Sequence, residues 1–85
     1  MSSEVEITVK FFASARDAVG DKNLKMSLKK GSKVDDIMKS LFEDYPELEE
    51  MKDQLLISVN KDRTGKDEKL QDGDEVAIMP PVTGG

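Results

Sequence analysis

The chain has 85 residues and a net charge of −5, with 36% hydrophobic and 36% charged residues and no Cys, His or Trp. Lacking Cys and His, it has no thiol nucleophile, no imidazole base near neutral pH, no thiolate or imidazole metal centre and no disulfide, so the commonest residue sets for catalysis are excluded. The acidic balance opposes binding to nucleic acid, and no apolar run approaches the roughly 18 residues that span a membrane. The Met1-Ser2-Ser3-Glu4 start has no basic and apolar signal region, so a cytoplasmic chain forming one small domain is expected.

In chain order, Val5, Ile7, Val9 and Phe11 alternate with Glu6, Thr8 and Lys10, the period of a half-buried strand. Ala13 to Val19 is alanine-rich and stops at Gly20, which predicts a short helical turn. Leu24, Met26 and Leu28 then alternate through Lys25 and Ser27, predicting a second strand antiparallel to the first. Lys29, Lys30 and Lys33 read as a solvated turn. Ser32 with Asp35 three residues on predicts a capping box, followed by Val34, Ile37, Met38, Leu41, Phe42 and Tyr45 on one helical face. That stripe is read as core, with Ile37 and Phe42 buried under a sheet. Pro46 ends the helix, because the residue before proline is biased out of the α region.

The acidic run Glu47-Leu48-Glu49-Glu50 is read as a solvated turn. Leu55, Ile57 and Val59 predict a third strand, and Asn60 to Glu68 a charged loop. Asp72-Gly73 is a turn signal, and its aspartates read as structural because the calcium-loop spacing is missing. Glu75 to Met79 predicts the last strand. The order strand, strand, helix, strand, strand implies an α+β domain with a mixed sheet and one main helix across one face.

The sequence closes on Pro80-Pro81-Val82-Thr83-Gly84-Gly85. Two prolines stop the strand and stiffen the segment after it, while glycine has no Cβ to prevent entry into a narrow channel. The expected organisation is a single domain over 1–79 and an extended tail over 80–85. With the side chains for autonomous catalysis missing, the carboxylate of Gly85 is the expected reactive group, with Gly84 allowing it to thread. An apolar docking patch is expected on the sheet face the helix leaves open, with Phe12, Met79 and Val82 as its candidates.

Val9-Lys10-Phe11-Phe12-Ala13 with Arg16 and Val19-Gly20, then Leu70 and Asp72 to Ala77, then Pro80 to Gly85, resemble the small subunits of molybdopterin synthase. These belong to the ubiquitin-like β-grasp sulfur carriers. The resemblance spans the chain and is most specific from Asp72 to Gly85, with Met79 standing where the family often has Phe. It implies a β-grasp sheet of four to five strands. It also implies that an ATP-dependent activating enzyme adenylates Gly85, and that sulfur transfer then yields a thiocarboxylate for molybdopterin synthesis. ATP would be used by that enzyme, with no cofactor or metal held by this chain, and the catalytic residues would lie on the synthase large subunit. Met79, Pro80, Pro81, Val82 and Thr83, with Phe12, would contact both partners in turn. Two other functions fit the same tail: a protein modifier joined through Gly85 to target lysines, and a thiazole-pathway sulfur carrier.

Overall fold

The computed structural model describes residues 3–80. The first strand, β1 (Glu4–Phe11), buries Val5, Ile7, Val9 and Phe11 and turns its polar residues outward, as its alternation requires. A short helix, α1 (Ala13–Val19), packs Ala15 and Val19 inward and ends at Gly20, whose φ of 90° is the left-handed conformation glycine adopts without strain. Strand β2 (Asn23–Lys29) returns antiparallel to β1, with Glu4 opposite Lys29 and Lys10 opposite Asn23.

The main helix, α2 (Val34–Asp44), buries Val34, Ile37, Met38 and Leu41. Two expectations about it are corrected. The cap lies one residue later than Ser32 and Asp35: the Lys33 N–H donates to Asp36 Oδ2 (2.9 Å). The reason is that the segment before the last strand supplies the helix's first turn with backbone acceptors. Val34 N–H donates to the Glu68 carbonyl and Asp35 N–H to that of Lys66 (both 3.0 Å), while the Ser32 carbonyl accepts from Leu70 N–H (2.8 Å). The orphan donors of a helix start are thereby satisfied without the serine hydroxyl. Asp35 is left to pair with Lys39 one turn on (3.2 Å). The second correction is Phe42, which is half-buried at the margin of the helix face, whereas Ile37 is fully buried.

Pro46 ends α2 and also opens α3 (Pro46–Glu50), occupying its first turn where no N–H is needed. The acidic run is therefore a helix and not a turn: Glu47, Glu49 and Glu50 are exposed, while Leu48 is fully buried. A 3-10 turn (Lys52–Gln54) leads into β3 (Leu56–Val59). The charged stretch expected to be a loop from Asn60 contains β4 (Asp62–Arg63), antiparallel to β3. Asn60 (φ 52°) and Lys61 (φ 74°) are both left-handed, which suits a two-residue hairpin turn of type I′. Strand β5 (Glu75–Met79) comes after a turn at Gly73 (φ 87°).

The five strands lie in the order β2-β1-β5-β3-β4, with β1 and β5 parallel and every other pair antiparallel. Val59, Leu70, Val76 and Ile78 complete one core with the helices and β1. Of the expected tail, Pro80 is described; Pro81, Val82, Thr83, Gly84 and Gly85 lie outside the described residues. Among the described residues, no helix is long and apolar enough to cross a membrane.

Candidate docking surface at the end of the sheet

The central pair β1 and β5 runs parallel, so both strands leave the sheet at the same end. Val9 lies opposite Val76 and Phe11 opposite Ile78. Strand residues alternate faces, and since Val76 and Ile78 point into the core, Glu75, Ala77 and Met79 point to the other side. Cross-strand partners share a face, which adds Thr8 and Lys10 from β1 and Leu56 and Ser58 from β3. The open face at this end is therefore an apolar strip of Leu56, Ala77 and Met79, bordered by an ion pair between Lys10 and Glu75 (3.3 Å).

Phe12 extends the same surface. Its backbone is extended (φ −124°, ψ 146°) and its N–H donates to the Ile78 carbonyl (3.1 Å), continuing the parallel ladder one step beyond β1. Two residues after Lys10, it has the parity of the open face, as does Met79 two residues after Ala77. Phe12 is 45% exposed, the one large hydrophobic side chain in that state among the described residues. It lines a notch of about 240 Å³ with Lys10, Arg16, Lys22 and Asn23. The next residue, Ala13, has φ of 52°, a conformation costly for any residue with a Cβ. This strained step turns the chain from β1 into α1 directly after Phe12.

Of the residues expected at the site, Phe12, Met79 and Pro80 fall at one end of the sheet, where Met79 and Pro80 are half-buried. Val82, Thr83, Gly84 and Gly85, with Pro81, lie outside the described residues. Leu56 was missed by sequence reasoning, although assigning Leu55, Ile57 and Val59 to one face leaves Leu56 on the other. Arg16 was named in the sequence only as part of the family resemblance; its place in the notch with Phe12 comes from the turn that starts α1.

The Asp-rich turn has a structural job. Asp72 Oδ1 accepts from Glu6 N–H (2.7 Å), Asp74 Oδ2 from Gln71 N–H (2.8 Å) and Asp74 Oδ1 from Asn60 Nδ2 (2.9 Å). These bonds tie the β5 entry to β1 and to the β3–β4 hairpin. Among the described residues, no group of three or more acidic side chains is gathered to hold a metal ion. The arrangement fixes the entry of β5 and sets its far end beside an apolar and basic surface.

The chain matches the ThiS family over residues 9–85. It is 34% identical over 84 residues to the molybdopterin synthase sulfur carrier subunit of Arabidopsis thaliana, covering 99% of this chain and 88% of that protein. The solved putative molybdopterin converting factor, subunit 1, of Pyrococcus furiosus is similar at a TM-score of 0.84 and 30% identity, covering 92% of this chain and 99% of that one. Small archaeal modifier protein 1 of Methanosarcina acetivorans is similar at a TM-score of 0.80 and 32% identity, covering 99% and 100%. Matched across nearly its whole length in sequence and in fold, the chain belongs to the ThiS family and has its ubiquitin-like β-grasp fold.

Proposed function

We propose that this protein is a sulfur carrier of molybdopterin biosynthesis, acting as the small subunit of a molybdopterin synthase and working through the carboxylate of Gly85. The observation that carries the reading is the direction of β5. The strand ends at Met79, followed by Pro80 and close to Phe12, so the last described residues lie at an apolar surface suited to a protein partner. Family membership and the name of the Arabidopsis relative support the same assignment.

A carboxylate is a poor acyl donor because oxide is a poor leaving group. An ATP-dependent activating enzyme would join Gly85 to AMP with release of pyrophosphate. A sulfide-level donor would then attack the acyl carbon, and AMP would depart with the carboxylate oxygen on its phosphate. The product is a thiocarboxylate, and the synthase large subunit would direct its sulfur to the pterin precursor. This chain's part is positioning: the folded surface binds, and that binding holds the threaded end against the reacting atoms.

A second reading is favoured by the likeness to the Methanosarcina small archaeal modifier protein, in which activated Gly85 would acylate a lysine amine of a target. The two differ in their products. Incubation with an activating enzyme, ATP, a sulfide source, the pterin precursor, the synthase large subunit and lysine-bearing target proteins should give a stable complex with the large subunit and sulfur-bearing pterin. A ladder of lysine conjugates with no large-subunit complex would reverse the assignment.

A further inference from the structure

We propose that the free edge of β2 is a docking strip for an extended acidic segment of a partner protein, which adds to the sheet as a sixth strand. Three observations place it there. The first is charge. Residues 22–33 contain Lys22, Lys25, Lys29, Lys30 and Lys33 and no Asp or Glu, while the other eight basic residues share the rest of the chain with all 18 acidic ones. The five lysines are exposed along one margin of an otherwise acidic molecule.

The second is backbone geometry. Strand β2 is the edge of the sheet, with β1 on one side and no strand on the other among the described residues. Lys30 N–H donates to the Ser3 carbonyl and Phe11 N–H to the Lys22 carbonyl (both 2.8 Å). Hydrogen-bonded pairs alternate along an antiparallel ladder, so Leu24, Met26 and Leu28 are the β2 residues that exchange bonds with β1. Asn23, Lys25 and Ser27 consequently aim their N–H and C=O groups outward, as Lys29 does its N–H, while the Lys29 carbonyl accepts from Ser32 N–H (3.0 Å). Such a row is matched by another polypeptide backbone, which neither a nucleic acid nor a lipid surface supplies.

The third is the side-chain pattern an incoming strand would meet. On the open face stand Lys25, Ser27 and Lys29; Lys25 lies opposite Thr8, while Ser27 lies opposite Glu6 and Lys29 opposite Glu4, so Lys25 is the strip's lysine without a carboxylate directly across from it. On the helix face stand Leu24, Met26 and Leu28, each half-buried. The complementary strand alternates acidic with apolar residues. At the Asn23 end it meets the notch beside Phe12, lined by Lys10, Arg16 and Lys22. Edge lysines also block unwanted pairing. Here that property selects among strands: a second copy of this chain would set lysine rows against each other, whereas an acidic strand is drawn in.

The inference stands apart from the Gly85 chemistry, since the strip needs no activated tail. Its test uses the full chain, labelled with nitrogen-15, and a blocked nine-residue peptide alternating Val with Asp and Glu. Binding should protect the amides of Lys25, Ser27 and Lys29 from hydrogen exchange and weaken as salt is raised. Lys25→Glu with Lys29→Glu should lower affinity tenfold or more, whereas Lys61→Glu at the β3–β4 turn should not. Ser27→Pro should abolish binding, since it removes one outward N–H and no bond to β1. Absence of peptide binding would overturn the proposal. So would binding without amide protection, equal affinity in the lysine variants, or equal competition by a single-stranded oligonucleotide.

Discussion

Two substitutions on one helix, Ile37→Ala and Phe42→Ala, should differ in the order opposite to side-chain size. Ile37 is fully buried beneath the sheet, so truncation removes its transfer energy and leaves a cavity, at about 2–5 kcal/mol for this type of change. Phe42 would cost about 3–5 kcal/mol if enclosed. It is instead half-buried, lining an open groove with Met38, Lys39 and Ile57, where water can refill the vacated space. About half the full cost is expected, roughly 1.5–2.5 kcal/mol. An 85-residue domain has a total stability of about 4–13 kcal/mol, so Ile37→Ala removes a large fraction and Phe42→Ala leaves a folded protein. Urea unfolding monitored by far-ultraviolet circular dichroism measures both, provided the m-value stays constant. A larger loss for Phe42→Ala than for Ile37→Ala would refute the packing described for α2.

Ala13→Gly should stabilise by about 0.5–1 kcal/mol, against the usual loss on placing glycine in a helix, because Ala13 holds φ of 52°. A loss of about 1 kcal/mol in the same urea assay would contradict the strained turn. Asp72→Ala should cost about 1 kcal/mol and speed exchange of the Glu6 amide, its partner at 2.7 Å; unchanged exchange would remove the role given to that turn. Met79→Asp should weaken binding of both the activating enzyme and the synthase large subunit at least tenfold, about 1.4 kcal/mol, because a charge would be desolvated at an apolar contact. Calorimetric titration of each partner checks it, and simultaneous binding of the two with unchanged affinities would dismiss a shared surface.

The strands were legible wherever one face is buried and the other wet. Val5 to Phe11 and Leu24 to Leu28 show this, and their alternation survives into the structure. Elements with little local signal were not legible. Strand β4 is two residues long and entirely polar, and it exists because Asn60 and Lys61 take left-handed turns that sequence periodicity does not encode. Helix α3 was hidden by its glutamates, with Leu48 as its one buried anchor. The capping residue was misplaced because the donors of α2 are met by carbonyls more than 30 positions away, a tertiary solution invisible in a local motif. At the site, Phe12 and Met79 could be named as candidates from the sequence, but their common end of the sheet required the parallel β1–β5 register. Leu56 entered through that register and its pairing with β3.

The most direct test of the sulfur-carrier reading is the intact mass of the full chain after incubation with its activating enzyme, ATP and a sulfide source, together with fragmentation of the C-terminal peptide. Exchange of one oxygen for sulfur at the activated acyl carbon should add about 16 Da, all of it on Gly85. An unchanged mass under conditions where the acyl-adenylate forms, or an added sulfur located on any other residue, would contradict the account.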